Sequence, residues 1–185
     1  MANQRKEQPA HEGFVMDVKA IRARARENLD RGAVTEGYTA DRSTVLKLLN
    51  DALATELVCV LRYKRHQYMA SGIHAEPVAA EFAAHAAEEQ GHADMIAARI
   101  IELGGAPDFA PDSLSGRSHS EYVEGANLKD MIKENLVAER IAVDSYREII
   151  VYLGDRDPTT RRMMEEILAV EEEHAQDMAD LLERD

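Results

Sequence analysis

Residues 82–105 read FAAHAAEEQGHADMIAARIIELGG, and residues 164–182 read MEEILAVEEEHAQDMADLL. Both stretches space their apolar residues three and four apart, the pattern of a helix that buries one face. Both interrupt that face with the same polar pair, Glu89 with His92 and Glu171 with His174. Residues three apart lie on one side of a helix, so each pair projects in a single direction.

Two further helical segments flank these. The pattern predicts helices from about Ser43 to Met69, Pro77 to Leu103, Ala126 to Leu153 and Pro158 to Glu183. Asp41 or Ser43 can cap the first, Asp157 can cap the last, and Gly104-Gly105 and Gly154 close the second and third. The first and third carry a single acid on the apolar stripe. Val45, Leu49, Ala52, Glu56, Val60 and Tyr63 form one stripe, and Ile132, Asn135, Glu139, Ala142, Tyr146 and Ile149 the other. A helix with Glu followed by a helix with Glu-x-x-His therefore occurs twice, as an internal repeat. Short connections make each pair an antiparallel hairpin. The stretch from Gly104 to Gly125, rich in Pro, Gly, Asp and Ser, is long enough to run the length of a bundle. The expected fold is all-α: a four-helix bundle of two antiparallel hairpins joined by a long crossover over residues 43–185, preceded by an N-terminal arm at 1–42.

Four glutamates and two histidines then face one core. A buried, unpaired carboxylate costs several kcal/mol, and four together repel one another. Two divalent cations balance four carboxylates, and carboxylate with imidazole suits iron, manganese or zinc. One Glu from each of two helices, with Glu-x-x-His from the other two, is the known ligand set of di-iron and di-manganese bundles. Glu56, Glu89, His92, Glu139, Glu171 and His174 are the expected metal ligands.

The formal net charge is −13. Residues 1–40 hold 7 Lys/Arg against 6 Asp/Glu, and the remainder holds 15 against 29. Such a surface repels phosphate and attracts cations, so DNA binding is the lesser expectation and would fall to the arm at residues 5–31. There a helix from about Phe14 to Leu29 would set Arg22 and Arg26 on one face. No apolar run approaches the ~18 residues of a membrane span, and the N-terminus lacks the apolar stretch of a secretory signal. Cys59 is the single cysteine, so no internal disulfide forms. A cytoplasmic location is expected.

The stretches TELVCVLRYKRH, EEQGHADMIAARIIELGG, NLVAERIAVDSY and RRMMEEILAVEEEHAQDM resemble the bacterioferritin-type members of the ferritin-like family. The resemblance covers roughly residues 43–184. It implies two iron ions bridged by Glu89 and Glu171, with Glu56 and Glu139 as terminal carboxylates and one histidine per iron. It implies oxidation of Fe(II) by O2 or H2O2 and storage of ferric mineral in a hollow homo-oligomeric shell. Tyr63, by its matching position, is implied as an electron donor. Gln90 stands where bacterioferritins carry a haem-binding Met, so haem is not expected. The chain ends 11 residues after His174, without the fifth helix of 24-subunit ferritins, which brings twelve-subunit Dps-like shells into view. The other readings are a rubrerythrin-like peroxidase or other non-storage di-iron or di-manganese oxidoreductase, and a Dps-like DNA-protecting protein.

Several neighbours have two readings. Tyr146, like Tyr63, lies seven residues after a solitary glutamate and reads first as a core tyrosine. His85 and Glu88 read first as helix surface, with a role in guiding iron as the second reading. His66 reads as a surface histidine, and Cys59 as a small core residue.

Overall fold

The computed structural model describes residues 15–183. In chain order the helices are α1 (Val18–Arg24), α2 (Arg42–Met69), α3 (Ala75–Glu102), α4 (Pro111–Arg117), α5 (Leu128–Leu153) and α6 (Pro158–Glu183). No strand occurs among the described residues. None of these helices is long and apolar enough to cross a membrane.

Side chains at the helix starts account for the starting points. Asp41 accepts from the Thr44 amide at 3.2 Å, so α2 begins at Arg42. Asn127 accepts from the Asp130 amide at 3.0 Å and starts α5 at Leu128, two residues later than the pattern suggested. Asp157 accepts from the Thr160 amide at 2.9 Å before Pro158 opens α6. α3 starts two residues ahead of Pro77, because a proline is tolerated in a first turn, where amides lack helical partners anyway.

The long helices pair as expected. α2 packs along α3, α5 packs along α6, and contacts of α2 with α5 and of α3 with α6 close the bundle. The crossover is built rather than slack. It contains α4, a turn of helix the sequence pattern did not predict, packed on α2. Arg117 donates to the Asn50 and Asp108 carbonyls at 2.7 and 2.9 Å, and the Asp108 amide donates to Asn50 Oδ1 at 2.7 Å. Further along, buried Arg62 donates to Asn135 Oδ1 at 3.0 Å and to the Glu121 carbonyl at 3.2 Å. His66 is fully buried between Asn135 Oδ1 and the Val123 carbonyl, each at 3.1 Å, which corrects the surface reading.

The arm differs from expectation. The helix expected over Phe14–Leu29 is only Val18–Arg24, and Asn28 then turns left-handed (φ 49°) into a 3-10 turn at Leu29–Arg31. Phe14, like the rest of residues 1–14 of the arm, lies outside the described residues. No α1 residue is buried, and a seven-residue helix is far below the ~12–15 residues at which isolated helices become marginally stable. The end of the arm is anchored. Val34, Tyr38 and Ala40 pack on the core, and the Tyr38 hydroxyl donates to Asp157 Oδ2 at 2.9 Å.

The apolar interior is divided in two. One cluster holds Leu49, Leu53, Ala93, Ile96, Ile100, Tyr146, Ile149, Met164 and Ile167. The other holds Tyr63, Val78, Phe82, Ala86, Met131, Ile132 and Met178. The stripe acids lie along each helix between the segments that supply these clusters.

Candidate metal centre

All six predicted side chains meet in that polar layer. Glu56, Glu89, Glu139, Glu171 and His174 are at most 1% exposed, and His92 is 7% exposed. They fall into two overlapping groups whose ligand-type atoms lie within 4.8 Å of one another: Glu56, Glu89, His92 and Glu171, and Glu89, Glu139, Glu171 and His174. Glu89 and Glu171 belong to both groups. These are the two glutamates of the Glu-x-x-His pairs, while each solitary glutamate belongs to one group.

The histidines aim the same nitrogen inward. His92 Nδ1 stands 2.9 Å from Glu171, 3.4 Å from Glu56 and 3.6 Å from Glu89. His174 Nδ1 stands 3.3 Å from Glu89 and 3.7 Å from Glu171. Its outer nitrogen is bonded to Glu88 Oε2 at 2.8 Å, and such a carboxylate partner fixes the ring orientation and tautomer of a metal-binding histidine.

The tyrosines hold the solitary glutamates, but across the bundle. Tyr63 on α2 donates to Glu139 Oε1 on α5 at 2.6 Å, and the Tyr146 hydroxyl on α5 donates to Glu56 Oε1 on α2. Each solitary glutamate thus has one oxygen occupied by a tyrosine and the other turned inward. Those inward oxygens, Glu56 Oε2 and Glu139 Oε2, have no hydrogen-bond partner. The same is true of both oxygens of Glu89, both of Glu171, and the Nδ1 atoms of His92 and His174. Buried polar atoms are almost always hydrogen-bonded in folded proteins, so eight unpartnered atoms converging on one space call for a ligand that satisfies them all.

The electrostatics agree. Burial, then repulsion from Glu171 and Glu89, pushes the Glu56 carboxyl well above its usual range. Burial, then Glu89 and Glu171, does the same to Glu139. Burial pulls the His92 and His174 imidazoles down, but the surrounding carboxylates outweigh it and push them up to about 12 and about 11. The site therefore attracts positive charge strongly. A dication at ~2.1 Å from its ligands sets neighbouring ligand atoms roughly 3.0–3.4 Å apart at right to tetrahedral angles, close to the separations above.

One neighbour was misjudged from sequence. His85 is 2% exposed rather than on the surface, with its ring stacked on His174 at 3.9 Å between centroids. Tyr146 is the core tyrosine it was expected to be, with its hydroxyl satisfied by Glu56. Its signal was the repeat itself, since it occupies the position after Glu139 that Tyr63 occupies after Glu56. Cys59 is buried as expected, 3.2 Å from Arg62 Nη2 and 3.6 Å from Ser120 Oγ. Gln90 bonds Asp94 on the exposed side of α3.

The chain matches the ferritin-like domain over residues 46–185. The bacterioferritin of Mycobacterium avium is 30% identical over 131 residues, 70% of this chain and 78% of that protein. A DNA protection during starvation protein of Pyrococcus furiosus is 30% identical over 139 residues, 72% and 74% of the two chains. Among solved structures, the dodecameric thioferritin described as the bacterioferritin-related protein from Bacteroides fragilis superposes with a TM-score of 0.76 at 33% identity, over 78% of this chain and 88% of that one. Topology, matched segment and relatives coincide, and the chain is a bacterioferritin-type member of the ferritin-like family.

Proposed function

We propose that the six side chains bind two iron ions as substrate and that the chain is a ferroxidase, working in a homo-oligomeric shell that stores or detoxifies iron. The observation that carries this reading is the set of eight buried, unpartnered atoms. Glu89 and Glu171, with both oxygens available, are the bridging carboxylates. Glu56 and Glu139 are terminal, each steadied by a tyrosine. Manganese and zinc suit the same donors. Each Fe(II) gives up one electron, and O2 takes both with two protons to leave H2O2, or H2O2 takes both with two protons to leave water. The four carboxylates favour the more highly charged product. Where O2 is instead carried past H2O2 to water, four electrons are needed: two come from the Fe(II) pair, one from a further Fe(II), and one from Tyr63, whose hydroxyl proton is already directed at Glu139 Oε1.

Stopped-flow absorbance after mixing Fe(II) with aerated protein tests the activity. A Glu89→Ala/Glu171→Ala variant is expected to lose more than ~100-fold in rate, beyond what loss of a supporting residue alone costs. Wild-type rates in that variant would overturn the ligand assignment. The dodecameric relative favours twelve copies. Light scattering should then give roughly 250 kDa for chains of 20.6 kDa; a monomer or dimer would exclude a shell.

One observation supports DNA binding as a second reading. α1 carries Lys19, Arg22 and Arg24, no acid, and no buried side chain. A gel shift that weakens steeply with salt and disappears on removal of residues 1–31 would establish it.

A further inference from the structure

The polar network does not stop at the dinuclear centre. His85 Nδ1 lies 3.1 Å from the Tyr63 hydroxyl oxygen, and Tyr63 has already committed its one proton to Glu139 at 2.6 Å. The hydroxyl can therefore only accept from His85, which fixes the imidazole proton on Nδ1. Nε2 is the ring nitrogen left for other partners. It points at two carboxylates from two different helices, Glu81 Oε1 at 3.4 Å and Asp177 Oδ2 at 3.6 Å. An imidazole nitrogen and two carboxylates from different helices, converging on one point, are a donor set for a divalent cation.

We propose that His85, Glu81 and Asp177 form a third, mononuclear site for a divalent cation of the Fe(II), Mn(II), Co(II) or Zn(II) type, between the dinuclear centre and solvent. The three ligand atoms lie within 4.8 Å of one another. Both nitrogen-to-oxygen separations are near the roughly 3.0–3.4 Å that bonds of ~2.1 Å impose. The burial pattern is that of a site with one open side. His85 is 2% exposed and held from behind by Tyr63 and by stacking on His174, while Glu81 and Asp177 are each 41% exposed. Open positions on the solvent side are where water would complete the coordination. Glu88 connects this site to the centre, since its carboxylate groups with both His85 and His174. An ion at the third site thus waits one residue away from the His174 side of the dinuclear pair.

This inference rests on the dinuclear reading only in taking Glu139 as ionised. The test is anomalous diffraction at the cobalt edge from crystals of the full chain soaked in Co(II), paired with a solution titration by Co(II) absorbance. The wild type is expected to show a third peak ~2.1 Å from His85 Nε2 and to bind one ion more than a Glu81→Gln/Asp177→Asn variant. That variant alters two half-exposed side chains outside the dinuclear ligands and should keep the inner pair of peaks. No peak at His85 in the wild type, or an undiminished one in the variant, overturns the third site. Absence of the inner pair, by contrast, overturns the dinuclear reading, and a peak at His85 alone would still uphold the third site.

Discussion

Tyr63 gives its hydroxyl proton to Glu139 on the opposite hairpin, and not to Glu56 seven residues earlier on its own helix. Tyr146 returns the arrangement by bonding Glu56. The two hairpins are thus locked to each other through the polar layer as well as through apolar contacts.

Removing either hydroxyl leaves a buried carboxylate oxygen without a partner. Tyr63→Phe and Tyr146→Phe are each expected to destabilise the metal-free protein by about 1–3 kcal/mol and to weaken Co(II) binding about 10–100-fold. Urea unfolding and metal titration measure the two effects. Tyr63→Phe alone should also slow iron oxidation after the first turnover, which separates an electron donor from a purely structural tyrosine. Identical kinetics in the two variants would remove Tyr63 from that role.

The buried acids set stability against function. Glu139→Gln keeps an oxygen to accept from Tyr63 and removes an acid whose charged form burial and its neighbours penalise, so the metal-free variant should be as stable as wild type or more stable by about 1 kcal/mol. Saturating Co(II) should reverse that order, because a ligand at 100 times its Kd adds about 2.7 kcal/mol to a protein that binds it fully. Thermal unfolding with and without the metal checks this. An unchanged order would mean that Glu139 is not a ligand.

Asp157 joins three parts of the chain. It caps α6, accepts from Tyr38 of the arm, and accepts from Arg99 Nη2 on α3 at 3.0 Å. Burial pushes its carboxyl up, but the Thr160, Tyr38 and Arg99 interactions prevail and hold it below its usual value. A carboxyl lowered by folding stabilises the protein above its unfolded pKa, near ~3.9, and ceases to do so as pH falls through the folded value. Asp157→Asn should therefore cost about 1–3 kcal/mol at pH 7, where it leaves largely buried Arg99 with Glu102 as its remaining charge partner, and less at pH 3, below the unfolded pKa. Urea unfolding at the two pH values gives the comparison. A pH-independent difference would show that the charge of Asp157 is immaterial.

Gly125 ends the crossover with φ 65°, and a Cβ there would come within 2.9 Å of the Met131 backbone nitrogen and 3.0 Å of its Cα. Gly125→Ala combines backbone strain with a clash against rigid backbone, and should cost about 2–4 kcal/mol. A midpoint of chemical denaturation within experimental error of wild type would show that the crossover can relax.

The bundle was legible because its information is periodic. Long stripes at helical spacing, with Asp41 and Asp157 as caps at two of the starts, leave little choice of structure. The six polar interruptions were legible for the same reason, since they break a repeating apolar face at matching positions. What escaped depended on contacts between elements. α4 is too short to show a period and is held by Arg117 reaching back to Asn50. His66 looks like a surface residue until Asn135 and the Val123 carbonyl arrive to satisfy it. In the arm, the pattern from Val18 to Leu29 promised a longer helix, but with nothing packed against it the chain turns at Asn28.

The repeat that built the two halves is imperfect at one point. One turn before Glu89 stands His85, and directly before it Glu88; the matching positions before Glu171 are Ile167 and Val170. Ile167 shares its apolar cluster with Ala93 and Ile96, the residues that follow His92 along α3. The flank of His174 consequently meets a second imidazole and a carboxylate, while hydrocarbon packs beside His92. A symmetric scaffold has thereby acquired two chemically unlike flanks.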